Sequence, residues 1–249
     1  MVDVVVSGRG HEARATVRPG GSAAIAAAWA AEAGADATVV GSVGDDFAGG
    51  ALRAALEARG LNCLLNIDEE ARTGTFLLVD GEIRADPGAN ARLTHTQLPE
   101  RIEGDGVLVS GYLRPATVAA ALERADARWI VLSPGPLEQL PPGANALFVN
   151  EDEALRLTGA EPEHAVRALG ERFRVACVTR GAEGAVAVLD GELHAASAAL
   201  VPKSALGAGD AFAAATIVAL SGGAGLDEAL AAGCEAGARA AALGAWPAS

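Results

Sequence analysis

The chain alternates between short apolar runs and longer amphipathic or alanine-rich segments, a pattern typical of an α/β protein. Short apolar runs predict buried strands at 2–6, 38–43, 107–110, 129–133, 146–149 and 175–179, and the first of them is rich in β-branched residues. The segments between them predict helices at 22–34, 47–59, 115–125, 151–158 and 163–172, followed by two long alanine-rich helices. Strands that alternate with helices predict right-handed βαβ units on a mostly parallel sheet.

A second group of segments predicts short strands with no helices between them. They lie at 12–18, 61–68, 73–79 and 82–85, and the last two are joined by a predicted turn at Asp80-Gly81. Strands this few and short are not stable alone and must pack on a larger body. We therefore predict one domain over 1–249, with a small β lid from about 12–18 and 61–85.

Composition and charge narrow the class of protein. Of the 249 residues, 51% are hydrophobic and 20% charged, which suffices for a sizeable core and argues against a disordered chain. No apolar run reaches the roughly 18 residues that span a bilayer, so we expect no membrane segment. The N-terminus carries Asp3 where a secretory signal would carry positive charge, which predicts a cytoplasmic protein. The net charge of −13 disfavours nucleic-acid binding.

A glycine-rich turn before a helix is the strongest chemical signal. In Gly207-Ala208-Gly209-Asp210, small residues leave backbone N–H groups uncovered where a helix begins, which suits phosphate oxygens. An aspartate in the first helical turn can act as a base toward a hydroxyl held beside those groups. A plain glycine turn, with Asp210 only complementing the helix dipole, stays open on these residues alone.

Other signals carry less weight. The segment from Gly8 to Ala13 has the spacing of a dinucleotide-binding fingerprint, but such a motif must open a helix and a strand is predicted here. Asp45 and Asp46 form a carboxylate pair at a strand end, where a structural role for at least one is favoured. The three cysteines lack metal-ligand spacing and predict small core residues.

Seven short motifs together resemble the ribokinase-like (PfkB) family of carbohydrate and nucleoside kinases. Their order is that of the family and they cover nearly the whole chain: 20–21, 34–49, 72–75, 87–90, 149–153, 178–184 and 207–212. The resemblance implies a three-layer α/β/α fold with a mostly parallel central sheet and a small β lid. It also implies ATP-dependent phosphorylation of a hydroxymethyl group on a small acceptor.

The resemblance assigns roles to the phosphoryl-transfer residues. Asp210 would be the base, and the backbone of Gly207, Ala208 and Gly209 would hold the charge on the transferred group. Asn150 and Glu153 resemble the element that orders Mg²⁺ and its waters, although an N-cap with its capping-box partner would give the same spacing.

The nucleotide and acceptor positions follow from the same resemblance. Thr179, Gly181 and Gly184, with Asn150, would line the nucleotide, and a plain strand exit is the alternative for the segment after the strand. The residues expected to contact the acceptor are Gly20, Gly21, Asn90 and, as the nearest acidic candidate, Glu12.

The chain departs from the family pattern in places that concern the acceptor. Ile25 stands where the family carries an asparagine that contacts hydroxyls, which predicts an acceptor less polyhydroxylated than ribose. Ser204-Ala205-Leu206 replaces Asp-Thr-Thr, which puts a monovalent-cation site in doubt. A non-catalytic, ligand-binding regulator therefore remains the alternative to a kinase. We also expect a homodimer through the lid sheet.

Overall fold

The protein is described by a computed structural model covering residues 1–7, 10–12, 14–79, 82–198 and 206–247. The predictions for the fingerprint residues Gly8, Arg9 and Ala13, for the Asp80-Gly81 turn and for Ser204-Ala205 lie outside these ranges. The strands are β1 (Val2–Ser7), β2 (Arg14–Pro19), β3 (Thr38–Gly44), β4 (Asn62–Asp68), β5 (Thr73–Val79), β6 (Glu82–Gly88), β7 (Ile102–Ser110), β8 (Ala125–Ser133), β9 (Ala146–Asn150), β10 (Val175–Thr179), β11 (Ala185–Leu189) and β12 (Glu192–Ala196). The α-helices are α1 (Ser22–Glu32), α2 (Phe47–Glu57), α3 (Pro115–Arg124), α4 (Glu151–Thr158), α5 (Pro162–Gly170), α6 (Ala208–Ser221) and α7 (Leu226–Leu243). None of the described helices is long and apolar enough to cross a bilayer.

A six-stranded sheet in the order β12-β11-β10-β9-β8-β7 forms the body. Strands β7 to β10 are parallel, and β11 and β12 add an antiparallel hairpin. The hairpin turns at Asp190 and Gly191, which both have positive φ (48° and 91°), as a two-residue turn of this kind requires. The parallel strands bring their carboxyl ends to one edge, where Asn150 lies beside Thr179.

Helices cover both faces of this sheet. Along β8, Leu132 packs into a core with α3, α4 and α5, whereas its neighbour Val131 packs into a core with α6 and α7. On β10, Val178 and Cys177 divide in the same way between the two cores. Because alternate residues of a strand point to opposite faces, strands buried on both sides appear in the sequence as continuous apolar runs.

Alanines let α1 and α6 approach each other closely. Ala24, Ala27 and Ala28 of α1 share a buried cluster with Ala211 and Ala214 of α6. Small side chains permit this close contact, and it brings the first turns of the two helices together. The functional residues described below lie at these two helix starts.

The lid is a four-stranded sheet in the order β2-β1-β5-β6, which corrects the sequence prediction in two respects. The apolar run at 2–6, predicted as a strand suited to burial, is β1 and lies inside the lid, antiparallel to β2 and parallel to β5. The segment predicted at 61–68 does not join the lid, because β4 pairs in parallel with β3 along its whole length. Both segments are apolar enough for either sheet, so local pattern could not distinguish them.

Side chains satisfy part of the edge of β3 that faces away from β4. The backbone N–H of Ser42 donates to Asn90 Oδ1 at 3.0 Å, and that of Gly44 donates to Thr73 Oγ1 at 3.0 Å. Buried backbone donors need such partners. These two bonds attach the start of β5 and the segment that follows β6 to strand β3.

Candidate active site

Helix α6 begins at a tightly packed glycine. Gly207 has a φ of +73°, a conformation that favours glycine, and a Cβ atom there would lie 2.5 Å from the Cβ of Ala245. The carbonyl of Ala245 accepts a hydrogen bond from the buried indole Nε1 of Trp29 at 2.7 Å. The start of α6 is thus held against α1 and the C-terminal segment, with the N–H groups of its first turn available to an anion.

Asp210 lies in the first turn of α6, half-buried, with a hydroxyl partner from α1. Ser22 Oγ donates a hydrogen bond of 2.5 Å to Asp210 Oδ1, across 188 positions of sequence. Burial raises the pKa of Asp210 to about 6, and the hydrogen bond from Ser22 opposes that rise. Asp210 is therefore ionised at neutral pH, and its pKa is close enough to neutral pH for the carboxylate to take up a proton.

Asp3 is a candidate site residue that the sequence reasoning missed. It is 2% exposed, its Oδ2 has no hydrogen-bond partner among the described residues, and its carboxylate occupies the space where a side chain on Gly20 would stand. Burial raises the pKa of Asp3 to about 6; Arg18, directly opposite on β2, lowers it, and Asp210 raises it. A second carboxylate therefore lies within electrostatic reach of the candidate base.

Glu12, the acidic residue expected at the acceptor, lies elsewhere in the lid. It is exposed in a short 3₁₀ helix at the tip, where Ser7 pairs with Arg14. Gly20 and Gly21 follow the opposite end of β2, about 20 Å from Arg14 at roughly 3.3 Å per strand residue. Asp3, by contrast, is a buried residue of β1. Such a residue gives no local signal of function, so neither the composition of the chain nor the spacing of its motifs indicated Asp3.

Gly20 and Gly21 lie where the chain passes from the lid to α1. The N–H of Gly20 donates to the carbonyl of Met1 at 3.0 Å, and Gly21 has a φ of +93°. Gly20 is buried because the carboxylate of Asp3 lies against it. These glycines bring Asp3 and Ser22 to the same region.

Asn90 and Asp46 have clear structural roles. Asn90 is half-buried and its Oδ1 is engaged by the N–H of Ser42, so this oxygen holds the hairpin in place. Asp46 caps α2 and accepts hydrogen bonds from Gly49 and Thr73, which lower its pKa although burial acts in the other direction. The structural interpretation of Asp46 is thus supported.

Asn150 and Glu153 form a capping box at the start of α4. Asn150 Oδ1 accepts from the N–H of Glu153 at 2.8 Å, and Glu153 Oε2 accepts from the N–H of Asn150 at 3.1 Å. Burial raises the pKa of Glu153, and the charge of Asp210 adds to that rise, so the two carboxylates share one electrostatic environment. Among the described residues, no three His, Cys, Asp or Glu side chains gather as a metal-binding group.

The segment after β10 places the predicted nucleotide residues on one short loop. Thr179 Oγ1 donates to the carbonyl of Val149 at 3.3 Å, which ties the ends of β9 and β10 together. Gly184 has a φ of +91° and packs against the backbone of Ala196, whereas Gly181, with a φ of +52°, faces open space. Gly184 is therefore required by packing, and Gly181 leaves room for a ligand.

Two further side chains, those of Tyr112 and Ile25, lie near Asp210 or the start of α6. Tyr112, 63% exposed, lies over Gly135, and burial, Glu153 and Asp210 together raise the pKa of its hydroxyl. Ile25 is 3% exposed, and its Cγ2 lies 3.3 Å from the Cβ position of Gly207. The Ile25 side chain thus packs against the start of α6. An asparagine at position 25 would bury its amide group in that contact.

Comparison with known proteins identifies the family. The family model described as "pfkB family carbohydrate kinase" matches residues 4–242. The chain belongs to the PfkB family. That family comprises carbohydrate kinases of the ribokinase-like type. The motif-based prediction of the family and of its three-layer fold is confirmed.

Two curated relatives agree with the family assignment. The chain is 32% identical over 220 residues to the ATP-dependent ribose-1-phosphate kinase of Halopiger xanaduensis, covering 78% of this chain and 71% of that protein. It is 30% identical over 225 residues to the bifunctional protein HldE of Caulobacter vibrioides, covering 79% of this chain and 46% of that one. The chain thus spans about half the length of the HldE proteins it matches.

The fold is shared with solved kinases of low sequence identity. Ribokinase from Thermotoga maritima superposes with a TM-score of 0.87 at 22% identity, covering 99% of this chain and 93% of that chain. Aminoimidazole riboside kinase from Salmonella enterica gives 0.83 at 21% identity, with 99% and 94% covered. At these identities the likeness establishes the fold alone.

Proposed function

We propose that this PfkB kinase transfers the γ-phosphoryl group of ATP to a hydroxymethyl group of a small sugar, sugar-acid or nucleoside-like acceptor. The observation that carries the proposal is Asp210 in the first turn of α6, with a pKa near 6, beside N–H groups at the helix start. A base and an anion-binding helix end at one point are what phosphoryl transfer to a hydroxyl requires.

The proposed reaction uses few side chains. The Asp210 carboxylate takes the proton of the acceptor hydroxyl while that oxygen forms a bond to the γ-phosphorus. The bond between the γ-phosphorus and the bridging oxygen breaks, and its electron pair leaves with ADP. The backbone N–H groups at Gly207, Ala208 and Gly209 hold the charge on the transferred group, and the α-helix adds its partial positive charge.

We assign Mg²⁺ to the region of Glu153. The ion usually keeps several waters and binds through one or two carboxylates plus substrate phosphates, so a single carboxylate beside the phosphates fits it. The capping box engages Glu153 Oε2, which leaves Oε1 for the ion or its waters. When bound, Mg²⁺ neutralises phosphate charge. Asn150 fixes Glu153 by the reciprocal bond.

We assign ATP to the loop after β10. Thr179 and Gly181 lie at the carboxyl edge of the sheet, beside Asn150, and the Nε atom of Arg180 is buried without a partner in the described structure. A guanidinium there suits phosphate oxygens. We place the reaction in the cytoplasm, where ATP is available.

For the acceptor we propose contact with Asp3 and the Gly20-Gly21 turn, whose backbone lies against that carboxylate. The unpartnered Oδ2 of Asp3 would accept a hydrogen bond from an acceptor hydroxyl, because a buried carboxylate oxygen needs a donor. The resemblance also assigns Asn90 to the acceptor, which stays a prediction; in this proposal Asp3 takes the role expected for Glu12, because Glu12 lies at the far tip of the lid. The Halopiger relative is named for a sugar phosphate, which places sugar phosphates among the acceptors to test.

The deciding experiment measures ADP release with ATP and Mg²⁺ over a panel of acceptors. The panel holds sugars, sugar phosphates, sugar acids, polyols and nucleosides, and each positive acceptor is confirmed by the mass of its phosphorylated product. We expect at least one acceptor to raise ADP release well above the rate with ATP alone. ATP binding without stimulation by any member would favour a ligand-binding regulator instead.

Asp3→Asn tests the acceptor site. We expect KM for the acceptor to rise about tenfold or more while KM for ATP is unchanged, since a carboxylate accepts hydrogen bonds that an amide only partly replaces. The folded protein binds the Asp3 proton more tightly than the unfolded chain, so ionisation above pH 6 costs stability. Asp3→Asn should therefore be at least as stable as the wild type at pH 8. A variant with an unchanged acceptor KM, or with both KM values raised equally, would contradict the assignment.

We propose a homodimer through the lid sheet. Val17 and Ile83 are 67% and 65% exposed on the lid, on opposite faces by strand register. The lid face that carries Asp3 is directed toward Asp210. The opposite face, which carries Val17, is available for contact with a second copy of the chain. Light scattering at micromolar concentration should give twice the chain mass, and Val17→Asp should reduce it to the monomer mass. A monomeric wild type rejects the proposal.

A further inference from the structure

The hydroxyl of Ser22 makes an unusual contact for a residue at the start of a helix. Gly21 is the N-cap of α1 and no side chain caps this helix, although Ser22, its first helical residue, carries a hydroxyl. Here Ser22 Oγ instead donates to Asp210 Oδ1 at 2.5 Å, a distance typical of hydrogen bonds to a charged oxygen. The alanine contacts between α1 and α6 hold the two residues at this separation.

We propose that Ser22 is a positioning residue for Asp210: its hydroxyl holds one carboxylate oxygen so that the other is presented to the acceptor. This inference rests on the proposed function. A carboxylate in the first turn of α6 has several rotamers, and the bond to Oδ1 selects one. The acceptor hydroxyl then meets Oδ2, which remains available as the proton acceptor.

Ser22 also opposes the surroundings that favour a neutral Asp210. The ionisable groups near Asp210 are Asp3 of β1, Tyr112 after β7 and Glu153 of α4, each of which has a pKa raised in part by the Asp210 charge. Burial itself raises the pKa of Asp210. A hydroxyl that donates to the carboxylate stabilises the ionised form, so it keeps the base charged at neutral pH.

The test is the pH dependence of kcat/KM in Ser22→Ala. Without the Ser22 donor, the acid limb of the profile, where kcat/KM falls as the pH is lowered, should lie about one to two pH units higher. KM for ATP should be unchanged. Ser22→Cys, which keeps the size but donates weakly, should shift the limb in the same direction by less. Ser22→Thr, which keeps a hydroxyl donor, should retain the wild-type pH dependence of kcat/KM. Ser221→Ala, at the other end of α6, removes a buried hydroxyl far along the helix and should leave the limb in place.

A second measurement separates this inference from the proposed function. The carboxyl ¹³C resonance of Asp210 in the folded 249-residue chain should titrate about one to two pH units higher in Ser22→Ala than in the wild type. An unchanged titration or an unchanged acid limb overturns the role of Ser22. A wild type that phosphorylates no acceptor defeats the proposed function, and the titration then still decides whether Ser22 controls Asp210.

Discussion

Asp210→Asn should lower kcat by at least about a hundredfold while ATP binding is retained. The amide has the shape of the carboxylate and can keep a contact with Ser22. It cannot accept the proton of the acceptor hydroxyl, so only the chemical step is lost. In the wild type, kcat/KM should fall as the pH drops through about 6, because protonated Asp210 is no longer a base. Steady-state kinetics between pH 5 and 9, with calorimetry for ATP, measure both effects.

A matched control addresses the alternative that Asp210 only complements the helix dipole. Glu228 is the third residue of α7, as Asp210 is of α6, but it is exposed. Glu228→Gln should leave kcat within about twofold of the wild type, since a surface dipole contact contributes only about 0.3–1 kcal/mol. Equal losses in the two variants, or wild-type turnover in Asp210→Asn, would reject Asp210 as the base.

Gly207→Ala should destabilise the protein and abolish measurable transfer. A side chain at a φ of +73° costs about 1–2 kcal/mol, and the added methyl group would lie 2.5 Å from the Cβ of Ala245. We expect the free energy of unfolding to fall by about 2–4 kcal/mol in urea titrations followed by circular dichroism. Displacement of the helix start would also misplace the N–H groups that hold the phosphoryl charge.

Gly209→Ala is the informative counterpart, because it separates stability from catalysis. Gly209 is exposed within the first turn of α6, and a Cβ atom there meets nothing within 4 Å. Its stability should be equal to the wild type or greater by up to about 1 kcal/mol, since alanine favours the helix. Its kcat should fall by about tenfold or more, because the methyl group occupies space proposed for the phosphoryl oxygens. Full activity in Gly209→Ala would place the anion elsewhere.

The body of the fold follows closely from local pattern. Helix α4 and strand β10 have the predicted bounds, and the alternation of apolar runs with helices correctly indicated a mostly parallel sheet. These features rest on interactions within a few residues: a capping box at Asn150, and continuous apolar runs that can be buried on both faces. The order of the motifs along the chain was enough to identify the family.

The membership of the lid depended on distant partners. Strand β1 pairs with β5, more than seventy positions later, and β4 pairs with β3 rather than with the lid. Each segment is apolar and strand-forming by itself, so the choice of sheet depends on which edge it reaches in the folded chain. Local periodicity contains no information about that edge.

The sequence by itself determined the family and the candidate base, because Gly207 to Asp210 form a contiguous motif whose chemistry is local. Only the tertiary structure placed Ser22 against that base and Asp3 within its electrostatic reach. Asp3 lies in a β-branched run and Ser22 follows a glycine pair, and neither shows from its neighbours that it approaches Asp210. The packing of α1 on α6 and the return of the lid at Gly20 bring them there. Contacts across about two hundred residues arise from the fold as a whole, so they become visible only when the chain is folded.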